Sequence, residues 1–353
     1  MTKEQLNTFL GISTLNIVEA MQRIDANAHG ILFIVNEKNK LLGTVTDGDI
    51  RRWIIKTGSL EVKVSELMNK DPKIIYRKEV KQAHDFMKKM HIRAFPVLDS
   101  KGKVVDIVLE DEKGEVADGK DTDTLHEVPV VVMAGGKGTR LYPFTKILPK
   151  PLIPIMERII DRFVEYGASN FYATVNYKKS MIKSYFAELA TDYSIKYVEE
   201  DKPLGTAGSL RLIDDKFDRP FIVTNCDILI HADYADVYKY HVESGNALTI
   251  VSALKNIVVP YGVIHSKENG TITSMEEKPK LSYFVNTGMY VLNPDLIDKI
   301  PLDTFFHMTD LTDVLLAEGK QVGMYPISED SFLDMGEFEE MRRMEKKLNL
   351  KSE

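Results

Sequence analysis

The sequence predicts an α/β protein in two parts, and three observations carry that expectation. Residues 1–109 contain a unit of roughly sixty residues written twice, which implies a pseudo-symmetric pair packed against itself. Residues 110–127 (EDEKGEVADGKDTDTLHE) hold eight acidic and two basic residues and almost nothing apolar, so they read as an exposed linker. Beyond them, Val128-Pro129-Val130-Val131-Val132-Met133 is an unbroken apolar run, the signature of a strand buried on both faces in a parallel sheet, and it runs straight into a glycine-rich turn.

In the repeated half, a helical stretch is expected over 17–24 in the first copy and over 80–90 in the second. Each is followed by two β-rich runs joined by a polar turn. Phe33-Ile34-Val35 returns as Phe95-Pro96-Val97, an offset of 62, and after one extra residue Leu41-Leu42-Gly43-Thr44-Val45-Thr46 is echoed by Val104-Val105-Asp106-Ile107-Val108-Leu109. This arrangement resembles a tandem CBS-domain pair over 1–109, with Gly43-Thr44-Val45-Thr46-Asp47-Gly48-Asp49-Ile50 as the best-matching stretch. The resemblance implies an adenosine nucleotide between the two halves, its ribose held by Thr46 and Asp49. The second copy departs from the pattern, with Leu109 and Glu112 at those places. The alternative is that Thr46 and Asp49 cap a helix beginning near Ile50 and that the pair serves dimerisation.

After the apolar run comes Ala134-Gly135-Gly136-Lys137-Gly138-Thr139-Arg140-Leu141. A strand entering such a turn lets backbone N–H groups approach phosphate oxygens, because glycine has no Cβ in the way. Arg140 adds a planar fork of donors. The chain continues through Pro143 and Thr145 to Leu148-Pro149-Lys150-Pro151-Leu152. The whole stretch resembles the signature of the sugar-1-phosphate nucleotidyltransferases. Later matches follow in order: Leu204-Gly205-Thr206-Ala207-Gly208, Asn225-Cys226-Asp227, Tyr261-Gly262, Glu276-Glu277-Lys278-Pro279, Asn286-Thr287-Gly288 and Asp334-Met335-Gly336. The implied architecture is a tandem CBS pair followed by a Rossmann-like, mixed-sheet nucleotidyltransferase (GT-A-like) domain over 128–353.

What that resemblance implies for individual residues can be stated by role. Ala134, Gly135, Gly136, Gly138 and Thr139 would wrap the triphosphate, with Gly205 and Thr206 against the base. Arg140, Lys150 and Lys278 would carry the catalysis, Arg140 on the leaving phosphates and the two lysines on the reacting ones. Tyr261, Gly262, Glu277, Lys278, Asn286 and Thr287 would hold the sugar phosphate. Asp227 and Asp334 would hold Mg²⁺, a hard ion that takes oxygen ligands and prefers phosphates and water. Glu199 and Glu200 stand where thymidylyl enzymes carry Gln, and a carboxylate there can accept from the N1–H and N2–H₂ edge of guanine, which tilts the nucleotide toward GTP. Glucosamine 1-phosphate or a related hexose phosphate is the expected acceptor, from the resemblance to enzymes that carry a CBS pair ahead of this transferase. Pushing one phosphate anion onto another calls for cations and donors, not for a covalent nucleophile. Cys226 is accordingly expected to pack into its strand.

Composition narrows the classes further. The chain has 353 residues, a formal net charge of -7 and a single cysteine, so an intrachain disulfide is excluded and a basic field for nucleic acid is absent. The opening MTKEQLNTFLGIS lacks a secretory layout, and no apolar run approaches the ~20 residues of a membrane span, so a cytoplasmic homo-oligomer away from membranes is expected. Two rival readings share the fold. A cytidylyltransferase for a phospho-amino-alcohol should lack the turns at 261–262 and 286–288. A catalytically silent sensor should lose Arg140, Lys150 or Lys278.

Overall fold

A computed structural model describes residues 2–27, 29–90, 92–110, 123–139, 145, 148–149, 156–189 and 191–334. The chain forms two compact units, Met1–Lys120 and Asp121–Glu353.

Unit 1 runs α1 (Lys3–Thr8), β1 (Leu10–Ile12), α2 (Ile17–Asn27), β2 (Ile31–Val35), β3 (Leu41–Thr46), α3 (Asp47–Thr57), α4 (Val64–Leu67), β4 (Ile75–Tyr76), a 3₁₀ turn (Arg77–Gln82), α5 (Ala83–Met90), β5 (Ala94–Leu98) and β6 (Val104–Leu109). Helix α2 forms because Ile17, Ala20, Met21 and Ile24 recur at helical spacing and bury one face. Its start is fixed by Asn16 and Glu19, each of whose side chains accepts from the other's backbone N–H. The strands make two sheets of the same pattern, β1-β2-β3 and β4-β5-β6.

The repeat is more regular than the letters suggested. Ile31 faces Thr46 and Ala94 faces Leu109, and a bulge falls before Val35 in one hairpin and before Leu98 in the other. The spacing between copies is therefore a uniform 63 residues. Phe95 corresponds to Leu32 and Pro96 to Phe33, so the offset of 62 and its extra residue are corrected. Identical letters had been matched one position out of register, which in a strand would swap the two faces. Even the turns repeat: Asn36 Oδ1 accepts from the N–H groups of Lys38 and Lys40, as Asp99 Oδ1 does from Lys101 and Lys103. The copies meet at these turns. Leu41 N–H donates to Gly102 C=O and Val104 N–H donates to Asn39 C=O, a reciprocal pair about a local two-fold between Lys40 and Lys103.

Unit 2 runs β7 (Val130–Met133), α6 (Met156–Val164), β8 (Asn170–Val175), α7 (Lys179–Glu188), β9 (Ser194–Glu199), α8 (Gly205–Gly208), β10 (Phe221–Asn225), β11 (Ile228–Ile230), α9 (Tyr234–Ser244), β12 (Leu248–Val258), β13 (Gly262–Ser266), β14 (Ile272–Glu277), β15 (Lys280–Leu292), α10 (Met308–Ala317), β16 (Val322–Ile327) and β17 (Phe332–Asp334). Seven strands make one mixed sheet in the order β16-β12-β15-β10-β7-β8-β9. β9, β8, β7 and β10 are mutually parallel, β15 runs against β10 and β12, and β16 is parallel to β12.

Both faces of this sheet are buried, and the alternation is visible residue by residue. Val130 and Val132 of β7, Phe171 and Ala173 of β8, Ile222 of β10 and Val291 of β15 enter one core with α6, α7 and α9. Val131, Tyr172, Phe221, Val223 and Leu292 enter the other with α8 and α10. Each such side chain contributes on the order of 1.5–3 kcal/mol by leaving water, which is why the strands are continuously apolar.

The first core also takes in Leu125, whose N–H donates to Tyr166 C=O, while Glu127 pairs with Arg219. Unit 2 thus begins packing before Val128, inside the stretch whose composition reads as linker. A buried polar cluster closes the far side: Asn246 Nδ2 donates to Thr249 Oγ1, and His241 sits between Thr249 and Asn293. Asn293 Oδ1 can only accept, so Nε2 of His241 carries the proton and Nδ1 accepts from the Thr249 hydroxyl.

Leu125→Ala should destabilise unit 2 by about 2–4 kcal/mol in denaturant unfolding of the full chain, as a core truncation does; a change within ~0.5 kcal/mol would return Leu125 to the linker. Burial pushes the His241 imidazole below its ordinary value of about 6.5. The stability that the neutral ring supports is present above pH ~6.5 and is lost as pH falls through the lowered value. Thermal melts at pH 7.5 and 5.5 should show unit 2 losing stability, and His241→Gln should flatten that part of the slope; an unchanged slope would exclude His241 as its source.

Candidate active site

Parallel pairing sets the ends of β7, β8, β9 and β10 level. Met133 faces Asn225 on one side and Thr174 on the other, and Glu200 N–H continues the ladder to Val175 C=O. The turns that follow all four strands therefore open on one edge. The chain leaves β7 toward β8 in one direction while β10 lies in the other, which is the switch point where open α/β sheets bind ligands.

The glycine turn begins at Ala134, buried, with its N–H on Thr174 C=O. A Cβ at Gly135 would stand 2.5 Å from Glu200 Oε1, so only glycine lets the turn lie this close to the end of β9. A Cβ at Gly136 would meet nothing within 4 Å, and Gly138 has φ 63°. The buried Thr145 hydroxyl donates to Gly138 C=O at 2.8 Å, and Tyr177 OH donates to Thr145 C=O at 3.3 Å, tying the turn down from outside. Thr139 and Lys137 are exposed. Arg140 and Lys150 lie outside the described residues.

The two acids at the end of β9 behave differently from the sequence expectation. Glu199 is held by Lys179 and Lys183, which pull it down to about 2. Glu200 is only 5 % exposed, its Oε2 accepting from Leu204 N–H. Burial raises its carboxyl, and the Leu204 N–H and Thr174 hydroxyl pull the other way. Glu199 is thus paired with two lysines, and Glu200 lies between the glycine turn and the Leu204–Ser209 turn.

That second turn is α8. Gly205 has φ 81° and a Cβ there would lie 2.6 Å from Phe306 C=O. Ala207 and Gly208 N–H both donate to that same carbonyl. Thr206 Oγ1 accepts from Met308 N–H at 3.0 Å and touches His307 Nδ1 at 3.3 Å, so its side chain fastens the start of α10. The strip from Thr304 to Met308 is the part of the site that motif reading missed. Its one visible signal was the His307–Asp310 spacing, where Asp310 accepts from His307 N–H to open α10.

At the other side of β10, Cys226 is buried and its N–H reaches Met133 C=O, so it packs as expected. β11 pairs antiparallel with β17, and Ile228 stands opposite Asp334. Asp227 and Asp334, more than a hundred residues apart in sequence, thus become adjoining backbone positions, both half-buried. Gly288, at φ 89°, lies against the Asn225 side chain, which brings Asn286-Thr287-Gly288 to the same edge. Asn286 Nδ2 donates to Tyr290 OH and its Oδ1 accepts from Gly288 N–H. Thr287 is buried, its hydroxyl donating to Val251 C=O.

The remaining sugar residues sit on a separate ribbon. Tyr261 is exposed, Gly262 faces Glu277, and Lys278 is held at φ 47° just ahead of Pro279. A non-glycine residue there is strained by about 1–3 kcal/mol, a cost that clusters at functional sites. In unit 1, Thr46 Oγ1 donates to Asp49 Oδ2 at 2.7 Å and both close a reciprocal cap on α3, with Asp49 also on Arg52. The capping alternative describes what these two side chains do.

The nucleotidyl transferase family model matches residues 129–350, well over half of the chain. The chain belongs to the nucleotidyl transferase family. The CBS domain model matches residues 13–56 and 64–112 ahead of it. A UTP–glucose-1-phosphate uridylyltransferase of Synechocystis sp. is 34% identical over 195 residues, 48% of this chain and 50% of that protein. A mannose-1-phosphate guanyltransferase of Candida albicans is 32% identical over 221 residues, covering 59% of this chain and 60% of the relative. The chain thus spans half to three-fifths of the length of these relatives. A putative glucose-1-phosphate thymidylyltransferase structure from Bacillus anthracis matches at TM-score 0.50 and 19% identity, over 64% of this chain and 97% of that one, which bears out the mixed-sheet nucleotidyltransferase fold. Among the described residues no helix is long and apolar enough to cross a membrane.

Gly135→Ala should destabilise unit 2 by about 1–3 kcal/mol, because the new methyl meets the Glu200 carboxylate. In a Glu200→Ala background most of that cost should disappear. Strictly additive melting shifts in this double-mutant cycle would sink the contact.

Proposed function

We propose that this chain is a sugar-1-phosphate nucleotidyltransferase that joins GTP to a hexose or hexosamine 1-phosphate, glucosamine 1-phosphate first, and releases pyrophosphate. The observation that carries the reading is the register of β7 with β10, which sets the glycine turn beside Asn225-Cys226-Asp227 at the switch point. The mannose-1-phosphate guanyltransferase relatives support GTP, and the glucosamine preference rests on the resemblance described above.

The residues divide the work by chemistry. Backbone N–H groups of the turn from Gly135 to Thr139 would take the triphosphate oxygens, and Arg140 the departing pair. Lys150 and Lys278 would lower the repulsion between the two reacting anions. Gly262, Tyr261, Glu277 and Asn286 would orient the sugar. Asp227 and Asp334 suit Mg²⁺: they adjoin, and among the described residues no third His, Cys, Asp or Glu completes a protein-only cage. A hard ion that keeps its waters and takes phosphate oxygens asks for one or two carboxylates. When bound, it would neutralise phosphate charge at that edge.

Pyrophosphate release by the full chain, with four nucleoside triphosphates against hexose and hexosamine 1-phosphates in Mg²⁺, should be greatest for GTP with glucosamine 1-phosphate. No release with any pair would overturn the transferase reading; a preference for another pair would overturn only its specificity. Asp227→Asn should lower turnover on the order of 10²-fold or more while leaving the melting curve in place. Wild-type turnover in that variant would remove Asp227 from the site.

A further inference from the structure

The ribbon that carries Tyr261, Gly262, Glu277 and Lys278 leaves the main sheet before it reaches them. β16 accompanies β12 only as far as Ala253, and β10 accompanies β15 only from Met289 onward. Beyond those points β12 and β15 run on as a pair, with Asn256 opposite Ser282. Val259 N–H then donates to Pro279 C=O and hands the ladder on to β13 and β14. Every residue of β14 and all but one of β13 are exposed. Two strands alone are marginal in water, so the direction of this ribbon has to be set at its base.

One carboxylate meets that base on its open edge. Carrying the register of β12 with β16 two residues past Ala253 and Ile327 brings Lys255 opposite Glu329, where the chain turns from β16 toward β17. Glu329 Oε1 accepts from Lys255 Nζ at 3.2 Å. Its Oε2 accepts from the backbone N–H and from Nδ2 of Asn256, each at 3.3 Å. Asn256 Oδ1 in turn accepts from the Ser282 hydroxyl at 2.8 Å, so β15 is tied in through β12. The Lys255 and Glu329 side chains are 27% and 28% exposed, where solvent screens an ion pair less than it does on open surface. Lys255 Nζ also lies 5.9 Å from the centre of the Phe332 ring. Phe332 opens β17, which ends at Asp334 opposite Ile228. Glu329 therefore joins the ribbon to the strand that brings Asp334 beside Asp227.

We propose that Glu329 is a positioning residue: acting through Asn256 and Lys255, it fixes the angle at which the ribbon presents the sugar-phosphate residues to the edge where Asp227 and Asp334 adjoin. The proposal rests on the transferase reading. Tyr261 lies five residues beyond Asn256. That is up to roughly 17 Å of extended chain, so a swing of about 5° at the base moves the tyrosine by up to about 1.5 Å. Misplacement on that scale costs on the order of 100-fold in rate.

The test follows pyrophosphate release by the full chain with GTP and glucosamine 1-phosphate, or with whichever pair the wild-type chain uses best. Glu329→Ala should lower kcat/KM for the sugar 1-phosphate by on the order of 10- to 100-fold and leave the KM for the nucleoside triphosphate within about twofold. Glu329→Gln, which keeps an oxygen for Asn256, should recover most of that loss. Ser282→Ala, a milder change that frees β15 from Asn256, should show the same split at about threefold. Hydrogen exchange, which needs no substrate, should quicken at Asn256 and over 257–283 in Glu329→Ala, with β7 and β8 unchanged. Equal losses for both substrates, wild-type kinetics, a Glu329→Gln chain as impaired as Glu329→Ala, or unchanged exchange would each overturn the positioning role and leave the transferase reading standing. A wild-type chain that releases nothing with any pair overturns the transferase reading, and the positioning role falls with it.

Discussion

The site depends on a single backbone constraint, the parallel register of β7 with its two neighbours. β7 is buried on both faces, so it can only sit in the middle of the sheet. There its N–H and C=O groups must pair on both sides. Pairing with β8 on one edge and β10 on the other brings the ends of three strands to one level. Everything placed at the candidate site follows from where those strands stop: the glycine turn after β7, the braced turn after β9, and Asp227 after β10.

The side chains around that edge mostly look inward. Glu200 holds Leu204 N–H, Thr206 holds Met308 N–H, Thr287 holds Val251 C=O and Thr145 holds Gly138 C=O. Each would be a candidate ligand contact if read as a letter in a motif. Each is instead a buried or half-buried polar group satisfying a backbone partner, and leaving a buried partner alone would cost about 1–3 kcal/mol. What these contacts present outward is the backbone, held at fixed positions by partners underneath. This suits phosphate recognition, where rows of N–H groups matter more than side-chain identity.

The two units hide apolar surface in different ways. Unit 1 doubles itself, and equivalent residues such as Val35 and Leu98 share one core across the local two-fold. The main sheet of unit 2 is covered by helices on both faces. Among the described residues, β13 and β14 stay almost wholly exposed.

The sequence by itself settled the two-part organisation, the repeat and the order of the turns, because periodicity, charge and glycine spacing are local properties. The apolar run of β7 and the glycine turns at 205 and 288 were legible for that reason. The register of the repeat was not, since a slip of one residue preserves the letters and exchanges the faces. Nor could the sequence say that Leu125 belongs to a core, that Asp227 would adjoin Asp334, or that Glu200 and Thr206 hold the N–H groups of Leu204 and Met308. Those outcomes depend on which backbone groups were left unpaired by distant strands and helices. Only the assembled sheet determines that, because each buried donor or acceptor takes whichever partner the tertiary fold brings within reach.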